Sequence, residues 1–171
     1  MKKNKKTKAV FLDRDGVINY DLGYVYKISK FKFKKNVFKA LEYINKKKYL
    51  AIIVTNQSGI GRGYYSIKDL KILHNWMKQK VRKKNGIIND IFFAPYYEFS
   101  KIKFSKKDKL NRKPNIGMIK DAQKKWSIDL KKSFMIGDSL IDKKCAKKAK
   151  LKFIKVNKNY DLLKLVSKKI K

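Results

Sequence analysis

The run Tyr49-Leu-Ala-Ile-Ile-Val54 narrows the possible folds more than any other stretch. A nearly unbroken apolar run this short reads as a strand, and its lack of polar alternation means that both faces must be covered, as in a parallel sheet between helices. Ala9-Val-Phe-Leu12, Asp90-Ile-Phe-Phe-Ala94 and Ser133-Phe-Met-Ile136 share that character, and Lys152-Phe-Ile-Lys-Val156 makes a fifth strand. Helical periodicity fills the gaps: residues 35–48 carry Val37, Leu41 and Ile44 on one face, and residues 116–126 carry Met118, Ile119, Ala122 and Trp126. A further helix opens at Ser66 with Asp69 three residues on, buries Leu70, Leu73, Met77 and Val81, and stops at Asn85-Gly86. A short helix through Cys145 to Ala149 and a last one over 160–170 complete the alternation. Such a chain predicts a mostly parallel, three-layer α/β domain with right-handed crossovers. At 171 residues a single domain spanning 1–171 is expected, with 1–8 as a basic tail and no linker or repeat.

In open α/β sheets ligands gather where strands end. The first strand runs straight into Asp13 and Asp15, the second ends in Thr55 and Asn56, and the fourth leads to Asp138 and Asp142. Arg112 and Lys113 come in on the helix preceding strand four, after a long loop over 95–112, and residues 14–33 read as a loop or small flap. If these ends converge, several carboxylates meet one lysine, one arginine and a hydroxyl. Carboxylates about 4 Å apart repel by ~4 kcal/mol per pair at an effective dielectric near 20, so cations must neutralise them. Oxygen donors without a histidine or thiol cluster suit a hard divalent ion, Mg²⁺ above all. An aspartate beside a metal and beside donors for a trianionic group is what phosphoryl transfer through an acyl phosphate requires.

The net charge, +34 from 47 Lys and Arg against 13 Asp and Glu, raises the question of a polyanion partner. The cations are almost all lysine, spread through every segment, with Ile, Asn and Tyr abundant, a pattern that A/T-rich coding drift leaves on a surface. Of the four arginines, Arg14, Arg62 and Arg112 lie in the segments singled out here, where a planar guanidinium recognises phosphate as lysine cannot. A nucleic-acid partner is therefore not expected. The lone cysteine, Cys145, excludes an internal disulfide and a multi-cysteine zinc site, and reads as an inert packed thiol. His74, the only histidine, reads as a packed or surface residue, and Trp76 and Trp126 as core or rim. The basic N-terminus is followed by too short an apolar run for export, and no stretch has the length of a membrane span, so a cytoplasmic monomer is expected.

Taken in order, the motifs resemble those of the haloacid dehalogenase superfamily, with its Rossmann-like sheet. More narrowly, Asp13-Arg-Asp-Gly-Val-Ile-Asn19, Gly23-Tyr-Val25, Thr55-Asn-Gln-Ser-Gly-Ile-Gly-Arg-Gly63, Arg112-Lys-Pro114 with Gly117-Met118, and Gly137-Asp138 with Asp142 are similar to those of the D-glycero-D-manno-heptose 1,7-bisphosphate phosphatases and the related histidinol-phosphate phosphatases. The resemblance covers about residues 9–157, and the short gaps after Asp15 and Arg62 leave no room for a separate cap domain. It implies Asp13 as the nucleophile, Asp15 as acid and base, and Thr55 and Lys113 as holders of the phosphoryl group. Asp13, the backbone carbonyl of Asp15 and Asp138 would bind Mg²⁺ with Asp142 in support, while Asn56, Arg62 and Arg112 would face a small phosphorylated sugar. Two departures stand out. Many relatives hold a structural zinc before the Arg-Lys-Pro motif, whereas residues 94–111 contain neither Cys nor His, so no zinc is expected there. Relatives also often carry a lysine where this chain has Ser139. Three alternatives stand beside the heptose reading: a histidinol-phosphate phosphatase, a phosphatase of nucleic-acid 3′ ends, and an inactive polyanion-binding scaffold.

Overall fold

The computed structural model describes residues 6–170, so most of the expected basic tail lies outside the described residues. Its last residues do not behave as a tail: Lys8 opens the first strand and the Thr7 amide donates to the Ser127 carbonyl at 3.0 Å. Five strands, β1 Lys8–Leu12, β2 Tyr49–Asn56, β3 Asp90–Ala94, β4 Phe134–Gly137 and β5 Lys152–Lys155, form one sheet in the order β3-β2-β1-β4-β5. All four pairings are parallel. Alternate residues of the central strands serve opposite layers. Val10, Leu12, Ala51 and Ile53 pack against α1 Val37–Lys46, α2 Ile67–Arg82 and α6 Leu162–Lys169, while Ala9, Phe11, Ile52 and Val54 pack against α4 Gly117–Trp126 and α5 Leu140–Lys148. The three-layer α/β architecture expected from the alternation is therefore the one observed.

The helix starts follow local chemistry. Ser66 and Asp69 exchange side-chain and backbone hydrogen bonds in a capping box that opens α2, and Ser139 and Asp142 do the same for α5. Two expectations are corrected. The stretch over 95–112 is not a plain loop: Ser105 and Asp108 form a third capping box and start α3, Lys106–Asn111. Arg112 and Lys113 do not ride on the helix before β4; they sit in the connection between α3 and α4, which leaves their side chains free to turn toward the strand ends. Thr55 and Asn56 are the final residues of β2, so the sheet itself fixes their direction. Among the described residues no helix is long and apolar enough to cross a membrane.

Candidate active site

The C-terminal ends of β1, β2 and β4 enclose a cavity of about 350 Å³ lined by Asp13, Asp15, Thr55, Asn56, Arg112, Lys113, Asp138 and Asp142, with Tyr24 and Gln57 among its other walls. Sequence neighbours cannot assemble this set; the parallel register does, by bringing Leu12 alongside both Ile53 and Ile136. Of the residues expected at the site, only Arg62 is absent from the lining. Its guanidinium stacks instead on Tyr97, 3.7 Å from the ring centre, and lies 6.0 Å from that of Tyr24.

Lys113 is the electrostatic centre. Its ammonium is 2.8 Å from Asp13 Oδ1 and 2.6 Å from Asp142 Oδ1, and all but 3% of the residue is buried. Burial alone would favour the neutral amine, but the carboxylates on both sides drive its pKa up. Burial, with the nearby Asp142 carboxylate adding to it, raises Asp13 to about 7 against the pull of Lys113. Burial likewise raises Asp138, again with Asp142 contributing. Oxygens of Asp13, Asp138 and Asp142 lie within 4.8 Å of one another. Three hard oxygen donors this close together, two of them with pKa values raised by burial, fit a divalent cation such as Mg²⁺, whose charge would offset theirs. Asp142 also serves α5, because its Oδ2 accepts from the Ser139 hydroxyl at 2.5 Å.

Asp15 is held differently. Its Oδ1 accepts from Arg14 Nη2 at 2.8 Å and Asn19 Nδ2 at 2.9 Å, and its Oδ2 accepts from Arg14 Nη2 at 2.8 Å and Gln57 Nε2 at 2.9 Å. Arg14 is fully buried, donates to the Val25 carbonyl at 2.7 Å, and places Nη1 3.2 Å from Nε2 of His74. Arginine offers no acceptor, so this contact requires an unprotonated Nε2. Burial and the Arg14 charge push the His74 pKa down to about 3, and the imidazole is neutral. His74 is thus buried, as one of its two expected placements had it, and it is also the far end of the chain that orients Asp15.

Gln57 ties this network to β2 by donating to Thr55 Oγ1 at 2.9 Å and accepting from the Tyr65 hydroxyl at 2.6 Å. Asn56 makes a reciprocal pair with the Lys113 backbone, donating to its carbonyl at 3.0 Å and accepting from its amide at 2.9 Å. It therefore anchors the Lys113 backbone while also facing the cavity. Arg112 donates to the Tyr96 carbonyl at 3.1 Å, and burial followed by the proximity of Arg62 lowers its pKa. The two neighbouring guanidinium charges, one of them in the cavity wall, favour an anion. Cys145 is 1% exposed and burial pushes its thiol up to about 11, in keeping with an inert packed residue.

The family match decides what kind of site this is. The polynucleotide kinase 3 phosphatase family profile matches residues 14–163. The D-glycero-alpha-D-manno-heptose-1,7-bisphosphate 7-phosphatase of Photorhabdus laumondii is 42% identical over 139 residues, covering 81% of this chain and 76% of that protein. The chain belongs to the haloacid dehalogenase phosphatases. The D-glycero-beta-D-manno-heptose-1,7-bisphosphate 7-phosphatase of Haemophilus ducreyi is equally similar to this phosphatase, at 42% identity over 146 residues covering 85% and 80% of the two chains. The solved D,D-heptose 1,7-bisphosphate phosphatase of B. bronchiseptica, complexed with magnesium and phosphate, superposes with a TM-score of 0.78 at 26% identity over 94% of this chain and 86% of that one. These relatives set aside the reading as an inactive scaffold: the protein is a phosphoric monoester hydrolase.

Proposed function

We propose that this phosphatase hydrolyses the 7-phosphate of D-glycero-D-manno-heptose 1,7-bisphosphate, leaving the 1-phosphate for surface-glycan heptose synthesis, as a cytoplasmic Mg²⁺-dependent monomer of one domain. The observation that carries the chemistry is Lys113 locked between Asp13 and Asp142, with Asp138 completing the carboxylate cluster. The substrate follows from the heptose bisphosphate phosphatases that this chain resembles.

In this reading Asp13 forms a bond to phosphorus while the bond from phosphorus to the sugar oxygen breaks. Asp15 gives that departing oxygen its proton. A water then attacks the phosphoaspartate, giving its proton to Asp15, and the phosphorus–Asp13 bond breaks to release inorganic phosphate and restore the free enzyme. Thr55 and Lys113 hold the transferring group throughout. Asp13, Asp138 and the Asp15 carbonyl, supported by Asp142, would hold Mg²⁺, which supplies positive charge to the phosphoryl oxygens when bound. Arg112, which lines the cavity, would meet the phosphate that remains on the sugar, with the Arg62 charge nearby adding to the pull on that anion.

A substrate panel tests the assignment: both anomers of the heptose bisphosphate, histidinol phosphate and a 3′-phosphorylated oligonucleotide, each with Mg²⁺. The heptose reading predicts the highest kcat/KM on one of the bisphosphate anomers, and faster turnover of histidinol phosphate than of either anomer would overturn it. The oligonucleotide is included because the matching family is described by a nucleic-acid end phosphatase and the chain carries +34 charges. Salt-sensitive hydrolysis of that substrate in preference to the sugars would favour the nucleic-acid reading.

A further inference from the structure

Among the described residues only two lysines are buried, Lys113 and Lys34. Lys113 is at the centre of the cavity; Lys34 lies in no motif, is 9% exposed, and sits behind the turn that follows Asp15. Burying an ammonium is costly, and a methionine would fill the same space without that cost. Its contacts show what the charge is used for. Lys34 Nζ donates to the Gly16 carbonyl at 2.9 Å, and its backbone N–H donates to the Ile18 carbonyl at 3.0 Å. The carbonyl between them, that of Val17, accepts from the Tyr160 hydroxyl. Three successive carbonyls after Asp15 are therefore held by two residues distant in sequence. Lys34 and Tyr160 also hold each other, the ammonium lying 4.6 Å from the centre of the Tyr160 ring.

The turn they hold borders the carboxylate cluster. Gly16 has φ +79°, and a side chain there would come within 1.9 Å of Asp138 Oδ2. Asp138 is also the acidic group whose charge supports the Lys34 ammonium against its burial. Tyr20 flanks the ammonium, and Lys155 and Lys158 face the same outer cavity of about 800 Å³.

We propose that Lys34 is a positioning residue which, with Tyr160, fixes the 15–18 turn and so aims Asp15 at the leaving oxygen and seats Gly16 against Asp138. The proposal rests on the reading of Asp15 as acid and base, and its test has an arm that does not. Lys34→Ala opens a slot onto the outer cavity, through which a small amine can enter. With Mg²⁺ and an alkyl phosphate that the wild type turns over, kcat should fall by at least about tenfold and KM change by less than about threefold. Ethylamine should restore kcat several-fold, and ethanol should not. Tyr160→Phe, which keeps the ring and loses the donor, should shift kcat in the same direction by a smaller factor. Amide exchange at residues 16–19 should accelerate in Lys34→Ala while that of β1 stays unchanged. A kcat within about twofold of wild type would overturn the proposal, as would a loss without amine rescue accompanied by faster exchange throughout β1. If Asp15→Asn turns over the alkyl phosphate as fast as the wild type, the reading of Asp15 falls and the exchange at 16–19 alone decides whether Lys34 holds the turn.

Discussion

Replacing His74 with glutamine tests the buried network behind Asp15 through stability alone. His74 accepts from Arg14 with a pKa near 3, while in the unfolded chain an imidazole has its ordinary value near 6.5. Its folded pKa is depressed, so the unfolded state binds the proton first. The stability it contributes is complete above pH 6.5 and is lost as the pH falls toward 3. Each pH unit inside that window removes about 1.4 kcal/mol, so between pH 7 and pH 5 this one group should cost roughly 2 kcal/mol. Glutamine at position 74 can present its amide oxygen to Arg14 and does not titrate. Urea unfolding of both proteins at the two pH values isolates the effect, because all other groups titrate in both. At pH 7 the variant should be less stable, through imperfect packing. At pH 5 the gap should have moved in its favour by roughly 2 kcal/mol, or about 1 M in midpoint for an m-value near 2 kcal/mol/M. A gap independent of pH would mean that His74 is not held neutral against Arg14, and the proposed orientation of Asp15 would lose its support.

Other positions give sharp expectations. Gly16→Ala places a side chain at φ +79° within 1.9 Å of Asp138 Oδ2, so it should lower stability by about 1–3 kcal/mol and weaken Mg²⁺ binding, read by calorimetry, at least about tenfold. Gln57→Leu removes the donor shared by Asp15 and Thr55 and leaves the Tyr65 hydroxyl without its acceptor. Steady-state kinetics should show kcat lower by roughly tenfold or more, with the fold retained by circular dichroism. Cys145 should resist a thiol reagent in the native protein at pH 8 and react fully in denaturant, given its 1% exposure and raised pKa.

Where local sequence decided the outcome, the sequence was legible. The runs around Ile52 and Ile136 read as strands covered on both faces, and Ser66 with Asp69 reads as a helix start from the sequence alone. The carboxylates were legible too, because Asp13, Asp15 and Asp138 follow strand ends directly. What remained hidden was pairing at long range. His74 meets Arg14 across sixty positions, a contact that an otherwise ordinary helix face does not announce. Lys34 is one lysine among more than forty, and only the fold distinguishes it from its solvated neighbours. Gln57 lies in the loop motif after β2, yet nothing local shows that its amide joins Thr55 to Asp15. Arg62 is a further case: its guanidinium stacks on Tyr97, outside the cavity lining, a partner that the glycine-rich loop around it does not announce. The helix over Lys106–Asn111 carries no signal of apolar periodicity, because a single capping box, Ser105 with Asp108, starts it.

The central claim is that Asp13 carries the phosphoryl group between substrate and water. Rapid acid quench of the Mg²⁺-loaded enzyme during turnover, followed by mass spectrometry of its peptides, tests this most directly. A phosphoryl adduct on the peptide containing Asp13, sensitive to hydroxylamine and lost together with phosphate release in Asp13→Asn, is the predicted result. An adduct on another residue, or undiminished turnover in Asp13→Asn, would contradict the account.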